Sequence, residues 1–267
     1  METAISLASM NSDKAKMVAV TVLAKNLKRP LVYVDVGALW GVDNHLVNSL
    51  NLMGFVKIIG FEPDENECAK LRGQNSNNTY LSVGVGDEDC LRKFYITTFN
   101  ACSSFLEPDL AALAGAPHRD LFHVTRTVEI PMRRLESLLV EGAIQQPDFL
   151  KIDAQGFELN ILNGCGSCLD NIIGIRLETQ FRPVYKGQAT FGDIYSFLSK
   201  RKFILRDLRL TNSFGYECIE AEAFFSRDPS RREHTTEMTI WDLIHDIRPG
   251  QTVEIKDGRC NFMMLQF

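Results

Sequence analysis

The chain has 267 residues, of which 45% are hydrophobic and 24% are charged. These values fit one large α/β domain, alone or with a small extension, and exclude a disulfide-stapled miniprotein, a wholly disordered chain and a fibrous repeat. The formal net charge of -5 argues against a nucleic-acid backbone as the main partner and favours a small or uncharged ligand.

Targeting signals are weak in this sequence. The longest apolar stretch near its start, residues 17–24, is too short to span a bilayer, and the segment before it lacks the basic region of a signal peptide. Seven cysteines, an odd number, suit buried thiols in a reducing compartment better than a disulfide framework. We therefore expect a cytoplasmic protein without a membrane span, and an oligomer is possible.

The first half of the chain alternates between helical and strand patterns. Apolar residues recur at helical spacing over residues 13–27, and a continuous apolar run at 31–37 is typical of a strand buried on both faces. The alternation continues with a helix from about 42 to 53, a strand at 57–61, a helix at 64–72 and a strand at 79–85. This βαβαβ order predicts a doubly wound, Rossmann-like α/β sheet that is mostly parallel.

The second half resumes the sheet after an interruption. Residues 90–131 break the alternation, with predicted strands at 92–99 and 125–132 and a short helix at 110–114, and we interpret them as an insertion over the ligand-binding edge. The pattern then predicts strands beginning at 149, 172 and 203, with helices at 157–162 and 191–202. Residues 217–226 alternate apolar and polar side chains and predict an edge strand antiparallel to 203–208.

These patterns divide the chain into an N-terminal helix (1–30), a main domain (31–225) and a C-terminal extension (226–267). The extension begins with a charged stretch that is typical of a solvated linker. A short amphipathic helix at 239–246 follows, and then a hairpin whose predicted turn is Asp257-Gly258.

The turn after the first sheet strand, Asp35-Val36-Gly37-Ala38-Leu39-Trp40-Gly41, carries the sharpest ligand signal. Its glycines let the backbone approach a ligand closely, and the helix that follows is expected to offer unpaired N–H groups. Leu39 stands where a dinucleotide fingerprint needs its middle glycine, which disfavours a pyrophosphate. Asp35 favours a zwitterionic or cationic ligand instead.

Carboxylates also follow the next two strands. Glu62 stands where a carboxylate can accept both hydroxyls of a ribose, although a strand end followed by the helix-starting Pro63 gives the same pattern. Asp87, after Gly86, is placed to accept from the amine of an adenine, and a plain turn is the alternative there.

Several segments, in order, resemble the FkbM family of S-adenosylmethionine-dependent methyltransferases. They are DVGALWG, GFEPDENECAKLR, VGVGD, Ser103-Ser104, VEIPMRRLESLL, FLKIDAQGFELNILNG and ETQFRPVYKGQATFGDIYSFL, and they cover roughly residues 30–225. The resemblance implies a class I methyltransferase sheet and S-adenosyl-L-methionine as the cofactor. The usual reaction of the family is methylation of a hydroxyl on a sugar, a macrolide or another natural product.

The resemblance also implies particular cofactor contacts. The methionine portion would lie against Asp35, Gly37 and Gly41, the ribose against Glu62 and the adenine against Asp87, with Ala38, Pro63 and Gly86 as further cofactor-binding residues. Two positions depart from the family pattern: Gln155 replaces a common glutamate, and Leu39-Trp40 replaces a smaller polar pair, which would narrow the pocket.

Methylation of a hydroxyl requires an aligned acceptor and a group that removes its proton. Lys151 and Asp153 are two residues apart on one strand and share a face, so they can touch, and Glu178 closes the next strand. We expect these three residues to be catalytic, with a structural ion pair as the alternative. The loop that follows adds three candidates for substrate contact, Arg182, Tyr185 and Lys186. No spacing of histidines and carboxylates indicates a required metal.

Three functions therefore stay open. The first is a metal-independent methyltransferase that acts on a hydroxyl of a small molecule or glycan. The second is a non-catalytic binding module that has kept the fold, which Gln155 and the unassigned extension would suit. The third is a nicotinamide-dependent oxidoreductase, which the missing middle glycine contradicts.

Overall fold

The computed structural model describes residues 4–5, 13–214, 216–228, 235–247, 251–256 and 259–264. The chain forms two compact units. The sheet unit comprises residues 32–41 and 58–228, and the terminal unit comprises residues 1–31, 42–57 and 229–267.

The helices and strands alternate through most of the chain. The helices are α1 (Asp13–Ala24), α2 (His45–Leu52), α3 (Glu65–Gln74), α4 (Leu135–Val140), α5 (Glu158–Gly164), α6 (Phe191–Lys200) and α7 (Thr235–Ile244). The strands are β1 (Ala4–Ile5), β2 (Leu31–Val36), β3 (Val56–Phe61), β4 (Thr79–Leu81), β5 (Gly84–Val85), β6 (Cys90–Thr97), β7 (Val124–Arg133), β8 (Phe149–Ile152), β9 (Gly174–Gln180), β10 (Phe203–Phe214), β11 (Glu217–Arg227), β12 (Gln251–Lys256) and β13 (Arg259–Met264).

Seven strands form the main sheet, in the order β10-β11-β9-β8-β2-β3-β4. β8 pairs in parallel with β2 and β9, and β3 pairs in parallel with β4, whereas β11 runs antiparallel to both β9 and β10. The predicted doubly wound, mostly parallel sheet is therefore confirmed. Its central strands are apolar runs because both of their faces are covered: every residue of β2 and of β8 is buried.

The structure corrects the predicted edge strand. β11 lies between β9 and β10, so the edge of the sheet is β10 and not residues 217–226. Alternation in a strand shows that one face is buried but does not reveal whether a second neighbour pairs with it. Phe224 and Phe225, on opposite faces of β11, are both buried, so this part of the strand is covered on both faces.

Two further predictions are wrong in detail. Residues 79–85 are not one strand, because β4 joins the main sheet while β5 joins a separate three-stranded sheet, β5-β7-β6. The predicted helix at 110–114 consists of turns. Asp109 begins these turns by accepting from the N–H groups of Ala111 and Ala112, and Gly115, at a φ of +84°, ends them after one turn.

The terminal unit contains α1, α2, α7 and a small sheet. α1 packs against α7, with an ion pair between Lys16 and Asp246. Asn44 caps α2 by accepting from the N–H groups of Leu46 and Val47, so these two donors, which the sequence pattern predicted to be unpaired, are satisfied within the chain. β12 and β13 pair antiparallel, which confirms the predicted hairpin strands, whereas the predicted turn and residues 229–234 of the linker lie outside the described residues.

Candidate active site

A cavity of about 250 Å³ lies in the sheet unit, where β2, β3, β8 and β9 reach their carboxyl ends. Its lining comprises Val36, Gly37, Leu39, Trp40, Phe61, Glu62, Pro63, Asp64, Glu67, Val83, Gly84, Val85, Phe94, Ile96, Asn100, Ala101, Ser103, Phe105, Asp153, Ala154, Gln155, Ile161 and Glu178. Several of these residues belong to segment 90–131, which was interpreted from the sequence as an insertion. This segment therefore forms one wall of the cavity. Parallel α/β sheets bind ligands at this edge.

We define two ends of this cavity. The Glu62 end consists of Glu62, Pro63 and the segment 83–85, and the Glu178 end consists of Asp153, Gln155 and Glu178. The strands that carry the two glutamates, β3 and β9, are separated by β2 and β8. Three strand spacings place the two ends roughly 14 Å apart along the sheet edge.

Gly37 joins the loops that follow β2 and β8. Its φ is +79°, and a Cβ at this position would lie 1.9 Å from the carbonyl oxygen of Asp153. The N–H groups of Gly37 and Ala38 both donate to the carbonyl of Phe61, at 3.1 and 3.0 Å. Glycine is therefore required at position 37, because the backbone after β2 meets the backbone after β8 there. The hydrogen bonds to Phe61 add the end of β3, so three strand ends are held together at the cavity.

Glu62 places a buried carboxyl group at its end of the cavity. Its Oε1 accepts from the N–H of Asp64 at 2.9 Å, and its side chain is only 6% exposed. Burial raises the pKa of Glu62 from 4.5 to about 7, and the carboxylates of Asp64, Glu67 and Asp35 add to the rise. A buried carboxyl group of this kind is stabilised when a ligand donates hydrogen bonds to it.

Asp35, Lys151 and Asp153 form a charge cluster at the cavity, in which Asp35 and Lys151 are buried and Asp153 is partly exposed. The Nζ of Lys151 lies 3.0 Å from Asp35 Oδ1 and 3.6 Å from Asp153 Oδ2, and it donates to the carbonyl of Gly37 at 3.1 Å. Burial alone would lower the pKa of Lys151, but the two carboxylates raise it, so the side chain stays an ammonium. The predicted contact between Lys151 and Asp153 is present, and the raised pKa keeps Lys151 in its charged form.

Gln155 links the two carboxyl groups of the Glu178 end. Its Nε2 donates to Asp153 Oδ1 at 3.0 Å and to Glu178 Oε1 at 2.9 Å. Burial, with the charges of Asp153, Glu220 and Glu158, raises the pKa of Glu178. The departure from the family pattern at position 155 thus has a physical consequence, because a neutral donor stands where a third carboxylate would repel the other two.

Other predicted site residues lie outside the lining of this cavity. Asp87 accepts from Asn160 at 2.8 Å and lies 3.6 Å from Arg92, and Gly86 packs against Met132. The remaining members of this group, with Asp35 and Lys151 described above, are Ala38, Gly41, Arg182, Tyr185 and Lys186. Of the three predicted substrate contacts, Arg182 pairs with Glu217, Lys186 pairs with Glu107, and Tyr185 is buried against Gln155.

The sequence pattern predicted one further feature of the site and missed another. Trp40 lines the cavity with its side chain 69% exposed and its φ at +68°, and its ring centroid is 6.3 Å from that of Phe99. Gln180 and Gln188 hydrogen-bond to each other and, through Gln180, to Glu178. Trp40 belongs to the bulky pair that was expected from the sequence to narrow the pocket, whereas no sequence signal singled out the two glutamines.

No cluster of three or more histidine, cysteine, aspartate or glutamate side chains in the described ranges is arranged to hold a metal ion. Among the helices that the structure describes, none has the length and hydropathy needed to cross a bilayer.

A sequence model of the methyltransferase FkbM domain matches residues 35–205. The chain therefore belongs to the FkbM methyltransferase family, and its sheet is the Rossmann-like sheet of class I methyltransferases. S-adenosyl-L-methionine is the cofactor of this family. A search of curated proteins found no match to this chain.

Solved methyltransferase structures are similar at low identity. The methyltransferase FkbM from Methylobacillus flagellatus KT is 13% identical, with a TM-score of 0.45 over 82% of this chain and 48% of that one, so this chain spans about half its length. A TehB-like SAM-dependent methyltransferase from Corynebacterium glutamicum is 11% identical, with a TM-score of 0.38 over 83% of this chain and 92% of that one. Magnesium protoporphyrin IX methyltransferase from Synechocystis PCC 6803, with bound SAM, is 12% identical, with a TM-score of 0.39 over 80% and 79%.

The residues at the Glu62 end fit the cofactor of the family. Glu62 offers a buried carboxyl group of the kind that binds a ribose diol. Beside it, the segment 83–85 with Phe105 and Ile161 forms an apolar wall suited to a flat base. A Cβ at Gly84 would lie 2.2 Å from the ring of Phe105, so glycine at this position allows the two sides of the wall to meet.

Proposed function

We propose that this protein transfers a methyl group from S-adenosyl-L-methionine to a hydroxyl of a small molecule, such as a sugar or another natural product. The observation that supports the transfer to oxygen is the pair of carboxyl groups, Asp153 and Glu178, joined by Gln155 at one end of the cavity. An alcohol needs an acceptor for its proton, and a carboxylate at the cavity wall is suited to that role.

The Glu62 end is proposed to hold the cofactor. Glu62 would bind the ribose, with Pro63 beside it, and the segment 83–85 would contact the adenine. Asp35, Gly37, Ala38 and Gly41 would shape the loop around the methionine portion, and Gly86 and Asp87 would border the adenine. When bound, the cofactor would supply an electrophilic methyl group on a sulfonium sulfur, with the neutral thioether of S-adenosylhomocysteine as the leaving group.

The Glu178 end is proposed to bind and deprotonate the acceptor. Glu178 is the stronger candidate for the base, because burial raises its pKa and makes its ionised form more basic. Asp153 would orient the acceptor hydroxyl, and Lys151 would fix Asp153 from the other side. The acceptor's proton would end on the carboxyl group of Glu178.

Ligand binding tests the cofactor assignment. We expect S-adenosylmethionine and S-adenosylhomocysteine to raise the unfolding temperature by several degrees at about 100 times their dissociation constants, equivalent to roughly 2.7 kcal/mol, whereas NAD has no effect. No shift with either adenosyl compound would favour a non-catalytic module that has kept the fold.

Two isosteric variants separate the roles of the carboxyl groups. A panel of monosaccharides and polyols, assayed by release of S-adenosylhomocysteine, would supply an acceptor. Glu178→Gln is expected to lower kcat by about 100-fold or more, and Asp153→Asn by less, with the affinity for S-adenosylhomocysteine unchanged in both. An equal loss of turnover and of cofactor affinity would make either residue a binding residue only.

We also propose a cytoplasmic location. Six of the seven cysteines have described side chains; all six are free thiols and four of them are buried, which suits a reducing compartment. Fractionation of cells that express the full chain would test this.

A further inference from the structure

Three glutamines, Gln155, Gln180 and Gln188, connect Tyr185 to Glu178, and we call them the glutamine relay. Gln180, Gln188 and Tyr185 are 1%, 7% and 1% exposed, so water does not compete for their hydrogen bonds. The relay has two branches. Both begin at Tyr185 and end at the same oxygen, Oε1 of Glu178.

The orientation of the first branch follows from the main chain. Oε1 of Gln188 accepts from the N–H groups of Val184 and Tyr185, at 2.7 and 3.1 Å. Because a backbone N–H can only donate, the amide oxygen of Gln188 must face it, and the amide nitrogen points away. That nitrogen donates to Oε1 of Gln180.

The orientation of the Gln180 amide follows from its contact with Gln188. With its oxygen facing Gln188, its Nε2 faces outward and donates to Glu178 Oε1 at 3.0 Å and to Glu220 Oε2 at 3.3 Å. Each amide along the branch therefore accepts on the side of Tyr185 and donates on the side of the acids.

The second branch has the same direction. The hydroxyl of Tyr185 shares its hydrogen between Oε1 of Gln155 and the carbonyl of Cys102, both at 3.0 Å. The oxygen of Gln155 is thereby fixed, and both hydrogens of its amide nitrogen go to Asp153 and Glu178. The hydroxyl of Ser104 also donates to the main-chain carbonyl of Gln155, which has a left-handed φ of +53°.

We infer that the glutamine relay, anchored by Tyr185, positions the base of the reaction: two amide donors hold Oε1 of Glu178 and direct its other carboxyl oxygen to the acceptor's proton. The inference rests on the proposed function, since it assigns Glu178 the proton transfer. Gln155, Gln180, Gln188 and Tyr185 are then positioning residues.

The charges around Glu178 explain why donors of fixed direction are needed there. The acidic groups around it are Asp153 after β8, Glu158 of α5, Glu220 and Glu222 of β11, Cys102 and Tyr185. The nearby cations are already paired with carboxylates, Lys151 with Asp153 and Arg176 with Glu222. Acidic groups thus predominate around Glu178, so an amide oxygen turned toward it would add to the repulsion, whereas an amide N–H favours its ionised form.

The test is the pKa of Glu178, measured by carbon-13 NMR on the full chain labelled in its glutamate carboxyl carbons, with Glu178→Gln to assign the signal. Gln188→Met removes the group that orients Gln180 without touching Glu178. We expect it to raise the pKa of Glu178 by about 0.5 to 1 unit, since a donor to the ionised form is lost or turned away. Tyr185→Phe removes only the hydroxyl and is expected to give a smaller rise in the same direction.

The matched control is Gln146→Met. Gln146 is a half-buried glutamine of the same unit whose Nε2 donates to the carbonyl of Cys168, so its loss disturbs packing without touching the relay. It should leave the pKa of Glu178 unchanged. An unchanged pKa in Tyr185→Phe and in any folded Gln188→Met would overturn the inference. Tyr185→Phe decides the question if Gln188→Met does not fold.

The titration and the proposed function can fail separately. If the wild-type chain does not bind S-adenosylhomocysteine by calorimetry, the proposed function fails, while the titration still shows whether the relay controls Glu178. If the chain binds S-adenosylhomocysteine and an acceptor is found, kcat should rise with pH as Glu178 loses its proton. In Tyr185→Phe this rise should occur at a higher pH. If the pKa of Glu178 shifts in Tyr185→Phe but the pH profile of kcat does not, Glu178 is not the base.

Discussion

The two ends of the cavity are built by different means. At the Glu62 end and the adjoining glycine turn, the shape comes from close approaches at glycines: Gly37 meets the carbonyl of Asp153, Gly84 meets the ring of Phe105, and the carboxyl group of Glu62 lines the same cavity. At the Glu178 end the shape comes from side chains, in which amide donors link carboxyl groups carried by separate strands. Where close backbone contacts set the shape of the cavity, a substitution at one of a few positions should disrupt it strongly. Where a network of side chains sets the shape, each of many side chains should contribute a smaller part.

The largest expected effect is at the backbone contact. Gly37→Ala would place a methyl group 1.9 Å from the carbonyl oxygen of Asp153, at a φ of +79°. We expect a loss of about 3 kcal/mol or more in the free energy of unfolding, measured with urea, together with loss of S-adenosylhomocysteine binding. Gly115→Ala is the matched control, because its φ is +84° with nothing within 4 Å, and it should cost only about 1 kcal/mol. Equal costs would show that the close approach does not constrain the fold.

The second prediction concerns the carboxyl group at the Glu62 end. Glu62→Ala should weaken S-adenosylhomocysteine binding by about 1.5 to 3 kcal/mol, since a charged hydrogen-bond acceptor is removed from a buried site. Isothermal calorimetry measures this change. Glu65→Ala, at the start of α3, removes an exposed carboxylate paired with Arg72 and should leave the affinity unchanged. Unchanged affinity in Glu62→Ala would remove Glu62 from the ribose role.

The third prediction concerns how stability depends on pH through Glu158, near the Glu178 end of the cavity. Burial raises the pKa of Glu158 from 4.5 to about 7, and its Oε1 accepts from the N–H groups of Ala154 and Gly156. The folded protein holds this proton more tightly than the unfolded chain, so stability falls as the pH rises from 4.5 to 7. Glu158→Gln keeps an oxygen for both N–H groups and removes the charge.

Glu158→Gln should therefore be more stable than the wild type by about 1 to 3 kcal/mol at pH 8, and the difference should vanish near pH 4. Urea unfolding at several pH values measures it. Glu129→Gln, at an exposed position of β7, should show no such trend. A variant that is less stable at pH 8 would mean that the charge itself holds the loop after β8.

The smallest effect is expected at the mouth of the cavity. Trp40 is 69% exposed, whereas Trp241 is fully buried, so a ligand in the cavity should alter mainly the fluorescence of Trp40. Trp40→Phe should change the stability by less than about 0.5 kcal/mol and abolish the fluorescence change on addition of S-adenosylhomocysteine. A change that persists in the variant would have to arise from Trp241, away from the cavity lining.

The difference between the two ends also explains what the sequence could predict. The glycine turn and Glu62 come directly after buried apolar runs, so their position at the sheet edge follows from local pattern. The contact of Lys151 with Asp153 followed from strand alternation. The doubly wound sheet and its family followed from ordered motifs along most of the chain.

The remaining features depend on which segments become neighbours. Gln180 and Gln188 matter only because the chain turns back at Tyr185, and Glu220 joins them because β11 pairs with β9. The position of β11 inside the sheet, and the division of residues 79–85 between two sheets, are likewise matters of pairing. Local periodicity contains no information about pairing partners that are distant in sequence.

The packing of α1 against α7 also has a consequence for synthesis on the ribosome. The two helices belong to one compact unit but are separated by more than 200 residues of chain. At 5 to 20 residues per second, α7 is made roughly 10 to 40 s after α1. The apolar face of α1, with Val20 and Leu23 fully buried in the finished protein, stays without α7 for that whole interval. A nascent chain of this protein therefore presents a binding site for chaperones along α1 until α7 has been synthesised.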